Sequence, residues 1–127
     1  MAKNGMHSRK RASLRIKVQV GDAVIGPGKV ELLRQIDQLG GISSAARAMG
    51  MSYRRAWHLL DTLAKGLGAP LVETSVGGSG GGGAQLTPLG RRLVDEYGTA
   101  IKAADKAARP LLDWLGEGRS DGAARDD

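Results

Sequence analysis

Around residue 55 the sequence reads Ser52-Tyr53-Arg54-Arg55-Ala56-Trp57-His58, a run of hydrogen-bond donors broken by one alanine. Arginine carries a planar fork of N–H donors that matches the two major-groove acceptors of guanine, or two oxygens of a phosphate. Arg54 is therefore the first candidate for reading a base, and Arg55 a second reader or a phosphate clamp. Ser52 and Tyr53 stand where a helix would begin, and hydroxyls and free backbone amides there suit phosphates or base edges. His58 is either a donor to a phosphate or base or a solvated surface histidine. Trp57 has two places open to it, beside the first helix or facing the groove, and the cost of leaving an indole in water favours burial.

Other chemistries find few residues to work with. There is no cysteine, and His7 and His58 are the only imidazoles, so thiolate chemistry is excluded and neither a metal site nor a cofactor is expected. No paired acids in a pocket and no nucleophile-base pair suggest themselves, so an enzyme is not expected. A formal GxGxxG occurs at Gly78, Gly80 and Gly83. No strong strand precedes it, Thr87-Pro88 separates it from the next helix, and the Lys-Ser/Thr of a phosphate loop is missing.

Nineteen Lys and Arg against thirteen Asp and Glu leave a formal charge of +6, which attracts polyanions before any specific contact forms. No apolar run approaches the ~20 residues that span a bilayer, and the basic N-terminus lacks the apolar core of a signal peptide. The expected location is the cytoplasm, with no membrane partner.

The elements that must hold the arginine-bearing segment can be read from periodicity. Residues 14–20 alternate apolar and polar, as a half-buried strand does, and Gly21-Asp22 turns it. After Gly26-Pro27-Gly28, Val30, Leu32, Leu33, Ile36 and Leu39 recur at helical spacing until Gly40-Gly41 stops them. Ser43 is the expected cap of a second helix whose Ala45, Ala46 and Met49 face inward, with Gly50 as its left-handed end. Ser52 caps a third helix to about Lys65, closed by Gly66, with Ala56, Leu59, Leu60 and Leu63 toward the core. Two short helices separated by Gly50-Met51-Ser52 must cross steeply, which is the helix-turn-helix pattern, and Met51 plugs the corner.

Downstream, residues 71–74 and 84–86 are expected to pair across the glycine-rich loop 76–83, forming a wing; a flexible linker is the competing reading of those glycines. Thr87 and Pro88 supply an N-cap and a preset first helical residue. The long helix that follows should run toward Leu115. Its apolar positions Leu93, Tyr97, Ile101, Ala104, Ala108, Leu111 and Leu115 step by threes and fours, the seam of a helix that pairs with another, and a second copy is the expected partner. Pro110 should kink or break this helix near Lys106.

The strings Gly41-Ile42-Ser43-Ser44-Ala45-Ala46, Met51-Ser52-Tyr53-Arg54-Arg55-Ala56-Trp57, the glycines 77–83 followed by Ala84, and Leu86-Thr87-Pro88-Leu89-Gly90 resemble the N-terminal DNA-binding domain of ModE-type molybdate-responsive regulators, itself similar to the LysR-type winged helix. The resemblance covers residues 14–115. It implies a dimer on a palindromic operator. Family members that sense molybdate carry a further oxyanion-binding module; the chain ends about where that module would begin, which leaves direct molybdate binding doubtful. Where the family often has a basic residue among the wing glycines, Ser79 stands instead, so a phosphate contact there would rely on backbone amides and the hydroxyl.

The expected fold is mostly α with a small β wing, a winged helix-turn-helix with a long C-terminal dimerisation helix. Its parts are a basic flexible arm (1–13), the DNA-binding domain (14–87), the dimerisation helix (88–115) and a disordered tail (116–127). The expected function is a sequence-specific, dimeric transcriptional regulator on double-stranded DNA. Its contacts would come from Ser52, Tyr53, Arg54, Arg55 and His58, with Arg47, Arg91, Arg92 and Ser79 reaching the backbone. The alternatives are a winged-helix module that binds protein and a protein that coats DNA without sequence preference.

Overall fold

A computed structural model describes residues 11–75 and 83–118. The basic residues of the arm up to position 10, the wing loop 76–82 with Ser79, and the tail from 119 lie outside the described residues. The chain divides into two compact units, Ile16–Thr99 and a second that joins Met1–Arg15 to Ala100–Asp127.

The first unit begins with a hairpin, β1 (Val18–Val20) paired antiparallel to β2 (Ala23–Ile25) with Val20 opposite Ala23. The turn rests on Gly21, whose φ of 58° is the left-handed conformation that glycine adopts without a Cβ clash. The alternation from residue 14 led to an expectation of one long strand. Only its last residues pair, because the partner strand β2 is three residues long.

α1 (Pro27–Leu39) starts on proline and ends at Gly40, again left-handed, whose amide donates to the Ile36 carbonyl. Val30, Leu32, Leu33 and Ile36 are fully buried, so α1 is the central element on which α2 (Ile42–Ala48), α3 (Tyr53–Leu67) and the wing strand β4 (Gly83–Leu86) pack. Ser43 does not cap α2. Gly41 takes that position and Ser43 falls inside the first turn. In α3 the expectation from Ser52 holds: its hydroxyl oxygen accepts the Arg55 amide at 3.0 Å.

The end of α3 differs from the sequence reading. The helix continues through Gly66 to Leu67 and is closed by left-handed Gly68, whose amide reaches the Ala64 carbonyl. Gly66 is a contact residue instead of a stop, since a Cβ built there would collide with the Cβ of Ala23. Loss of side-chain volume at that position lets α3 lie on the β1–β2 hairpin.

The wing pairs β3 (Val72–Ser75) with β4 in antiparallel register, Val72 opposite Leu86 and Ser75 opposite Gly83. Two backbone bonds fasten its base, Ala84 N to Gly40 O at 2.9 Å and Thr87 N to Leu71 O at 3.0 Å. Thr87 then does what an N-cap requires, accepting the Gly90 amide at 3.1 Å while its hydroxyl donates to the Pro70 carbonyl at 2.8 Å.

α4 (Pro88–Asp113) is continuous through Pro110 and passes into a π-helical turn at Trp114–Gly118, so the expected break near Lys106 does not occur. Proline removes one amide donor, and the surrounding turns carry the helix past it. Arg109 is braced from both sides by Asp105 (2.7 Å) and Asp113 (3.3 Å), which raises its pKa above the usual arginine value, chiefly through the hydrogen bond to Asp105. Among the described residues no helix is long and apolar enough to cross a membrane.

Candidate nucleic-acid interface

The exposed side of α3 follows from which of its residues are buried. Ala56, Leu60 and Leu63 face inward, where α3 packs on α2, β2 and α1. Successive helical residues turn by about 100°, so Arg54 and His58 fall on the ridge directly away from that stripe. Arg55 lies on one flank, toward an open cleft shared with Lys29, Lys65 and the turn of the β1–β2 hairpin. Tyr53 and Trp57 lie on the other flank. There they line a cleft of about 640 Å³ together with Ser43 and Ser44 of α2 and Thr74, Ser75 and Gly83 at the wing.

Arg54, Arg55 and His58 are exposed and none forms an ion pair with any described residue. Two arginines held on a capped helix without a carboxylate partner among the described residues offer their donors to an outside acceptor. Ser52 and Tyr53 are exposed at the helix N-terminus, where α3 has unsatisfied amides. Arg47, in the last turn of α2, is also exposed.

The basic residues at the start of α4 separate. Arg91 is held by a two-pronged contact with Asp37 at 3.1 and 3.3 Å, which ties α4 to α1. Arg92 faces water with only a 3.5 Å, largely exposed pair to Glu96, a contact that contributes little and is easily exchanged for a phosphate. The arginine bonded within the fold and the arginine available to a ligand are thus neighbours in sequence.

Trp57 corrects the expectation of burial, since it is 51% exposed, and Tyr53 beside it is 52% exposed. The buried stripe of α3 is already supplied by Ala56, Leu60 and Leu63. Trp57 sits one residue past the buried Ala56, about 100° off the apolar stripe, and borders a small open cleft that Ile42, Leu60, Ala64 and Pro70 also line. Leu59 is likewise only half-buried, lining the cleft at the hairpin.

Along α4 the expected seam residues have different surroundings. Tyr97 is 8% exposed and its hydroxyl donates to the Ile16 carbonyl at 2.7 Å, so it packs within its own unit. Leu93, Ile101, Ala104 and Ala108 are half-buried. Leu111 and Leu115 are exposed, and so is Trp114, which the threes-and-fours reading passed over although it lies next to Leu115. Among the described residues no cluster of histidine, aspartate and glutamate could hold a metal ion.

Residues 28–91 match the family model of the bacterial regulatory helix-turn-helix proteins, lysR family, a span running from the first turn of α1 to the first turn of α4. The molybdenum-pterin-binding protein MopB of Rhodobacter capsulatus is 46% identical over 81 residues, covering 64% of this chain and 30% of that protein. The transcriptional regulator ModE of Yersinia pestis is 39% identical over 87 residues (68% and 33%), and the molybdenum transport protein ModE of Azotobacter vinelandii 36% over 110 residues (87% and 39%). The chain spans about a third of the length of the curated relatives it matches.

Proposed function

This chain belongs to the lysR family of bacterial regulatory helix-turn-helix proteins, and from that premise we propose that it is a sequence-specific regulator of transcription that binds double-stranded DNA. α3 enters the major groove with Arg54 toward guanine, Arg55 and His58 beside it, and Ser52 and Tyr53 at the phosphate edge. Arg47 and Arg92 hold the DNA backbone and carry no sequence information. The observation that carries this reading is the outer side of α3: Arg54 and Arg55 are exposed and form no ion pair with a described residue, away from the buried stripe of Ala56, Leu60 and Leu63.

The active species is a homodimer on a two-fold symmetric operator, with two copies of α3 about one DNA turn (~34 Å) apart. Exposed Leu111, Trp114 and Leu115 near the end of α4 support this pairing, because apolar side chains grouped on one helix end gain from a partner that covers them. The names of the relatives connect them with molybdenum, and genes of molybdenum metabolism are the class of target that follows for this chain. No catalytic chemistry and no direct contact with the oxyanion are part of this reading.

Selection of bound sequences from a random duplex pool tests it. Enrichment of a palindrome, with binding that falls steeply as salt rises, is the expected result. Retention of random and selected duplexes with equal affinity would instead mean nonspecific coating, and salt-independent capture of protein partners would mean an interaction module.

A further inference from the structure

The flank of α3 facing the wing carries two large aromatic side chains, Tyr53 and Trp57, one helical turn apart and each about half exposed. An indole held half in water gives up roughly 1–2 kcal/mol relative to full burial, and α3 has small or charged residues as its other exposed options. Both rings line the cleft between α3 and the wing, whose walls also carry the hydroxyl residues Ser43, Ser44, Thr74 and Ser75 beside the apolar Leu39, Ile42 and Ala84. A cleft with both apolar and hydroxyl walls thus stands next to two arginines that form no ion pair with a described residue. Of the nearby acids among the described residues, Asp61 on this flank is matched by Lys65 at 3.0 Å, and Glu73 beside the wing wall accepts from Gln85 at 3.3 Å.

We infer that Trp57, with Tyr53 beside it, is a specificity-determining apolar reader of thymine: its indole covers the C5-methyl group in the major groove. This rests on the reading of α3 as the DNA-entering helix. The occupant follows from the chemistry of the groove. The floor of the major groove offers hydrogen-bonding edges at every base pair and one apolar group, the thymine methyl. A polyanion suits the surrounding arginines, and within it only that methyl suits an indole. Arg54 on the ridge then reads guanine while Trp57, about 60° around the helix, reads a thymine at a neighbouring position of the same half-site.

The test uses the full chain and the duplex enriched from a random pool, with each thymine replaced in turn by uracil. Uracil removes the methyl and leaves base pairing unchanged. Covering one methyl corresponds to about a three- to five-fold change in affinity. Wild-type protein should therefore lose three- to five-fold at one or two thymines per half-site. Trp57→Ala should bind the thymine and uracil duplexes equally at one of those positions, while Arg54→Ala keeps the wild-type ratio. Emission gives an independent readout: the selected duplex should alter the emission of the wild-type protein, and Trp57→Phe should lose that change.

A wild-type protein that binds its selected duplex but is indifferent to uracil at every position overturns the inference and leaves the DNA-binding reading standing. The same holds for a Trp57→Ala protein that keeps the full thymine preference, or for wild-type emission unmoved by a bound duplex or still altered in full in Trp57→Phe. If no duplex is enriched at all, the reading of α3 and the inference fall together.

Discussion

Arg54→Ala separates base reading from general attraction when it is set beside Arg92→Ala. The Arg54 side chain forms no ion pair with a described residue and points away from the buried face of α3, so its removal should leave stability within about 0.5 kcal/mol of wild type. Loss of a two-pronged contact to guanine is worth about 1–3 kcal/mol, or roughly five- to 150-fold per half-site, and a symmetric dimer loses it twice. On random duplexes the same variant should lose only the few-fold that one positive charge supplies. Arg92 is a different case. Its contact with Glu96 is long and exposed, and a phosphate contact from it should contribute about 0.9 to the slope of log affinity against log salt, or about 3.5-fold between 50 and 200 mM. Arg92→Ala should therefore weaken specific and random duplexes by the same small factor and flatten the salt slope. Fluorescence anisotropy with the selected duplex and a scrambled one, at four salt concentrations, measures all of these quantities. Equal losses for both variants on both duplexes, or an Arg54→Ala effect confined to the salt slope, would refute the assignment of Arg54 to a base.

Three further outcomes follow from the geometry. Thr87→Val removes the hydroxyl that joins Pro70 O to Gly90 N, and should cost about 1–3 kcal/mol in a denaturant titration, with Thr87→Ser keeping most of the stability. Gly90→Ala forces a Cβ into the carbonyl of Leu71, a backbone atom that cannot swing aside, and should lower stability by about 1–3 kcal/mol or prevent folding; a wild-type melting temperature would show that the wing base and α4 are not packed as described. Leu111→Asp combined with Leu115→Asp should shift the protein from dimer to monomer in sedimentation equilibrium and weaken operator binding, while circular dichroism stays unchanged. A dimer that survives both charges would place the pairing surface elsewhere.

Where the chain's local preferences and its packing ask for the same residue, the sequence was legible. Val30, Leu32, Leu33 and Ile36 recur at helical spacing and become the fully buried face of α1, and Ser52 both prefers and takes the cap of α3. The pairing of Val72 with Leu86 and of Thr74 with Ala84 follows from two short apolar runs across a glycine-rich loop. The capped Thr87-Pro88 start of α4 was readable for the same reason. β2 was harder, because three residues beside a glycine turn offer no periodicity to detect.

The reading failed where a residue's role depends on something distant in the chain. Gly66 has the local properties of a helix stop, yet it sits mid-turn because Ala23, over forty positions earlier, leaves no room for a Cβ. Tyr97 fits an intermolecular seam by spacing, and only the folded unit brings the Ile16 carbonyl to its hydroxyl.

Local composition determined that this chain forms capped helices and a short strand pair flanking a glycine-rich segment, and that arginines occupy the outer side of one helix. Those properties depend on φ preferences, hydrogen bonds over three or four residues and the 3.6-residue period, all of which act along the chain. Tertiary structure alone decided that Trp57 stays half in water, that Arg91 is committed to Asp37, and which seam residues remain uncovered. Each of those outcomes is a competition for space or for a partner among residues far apart in sequence, and no window of neighbouring residues contains both competitors.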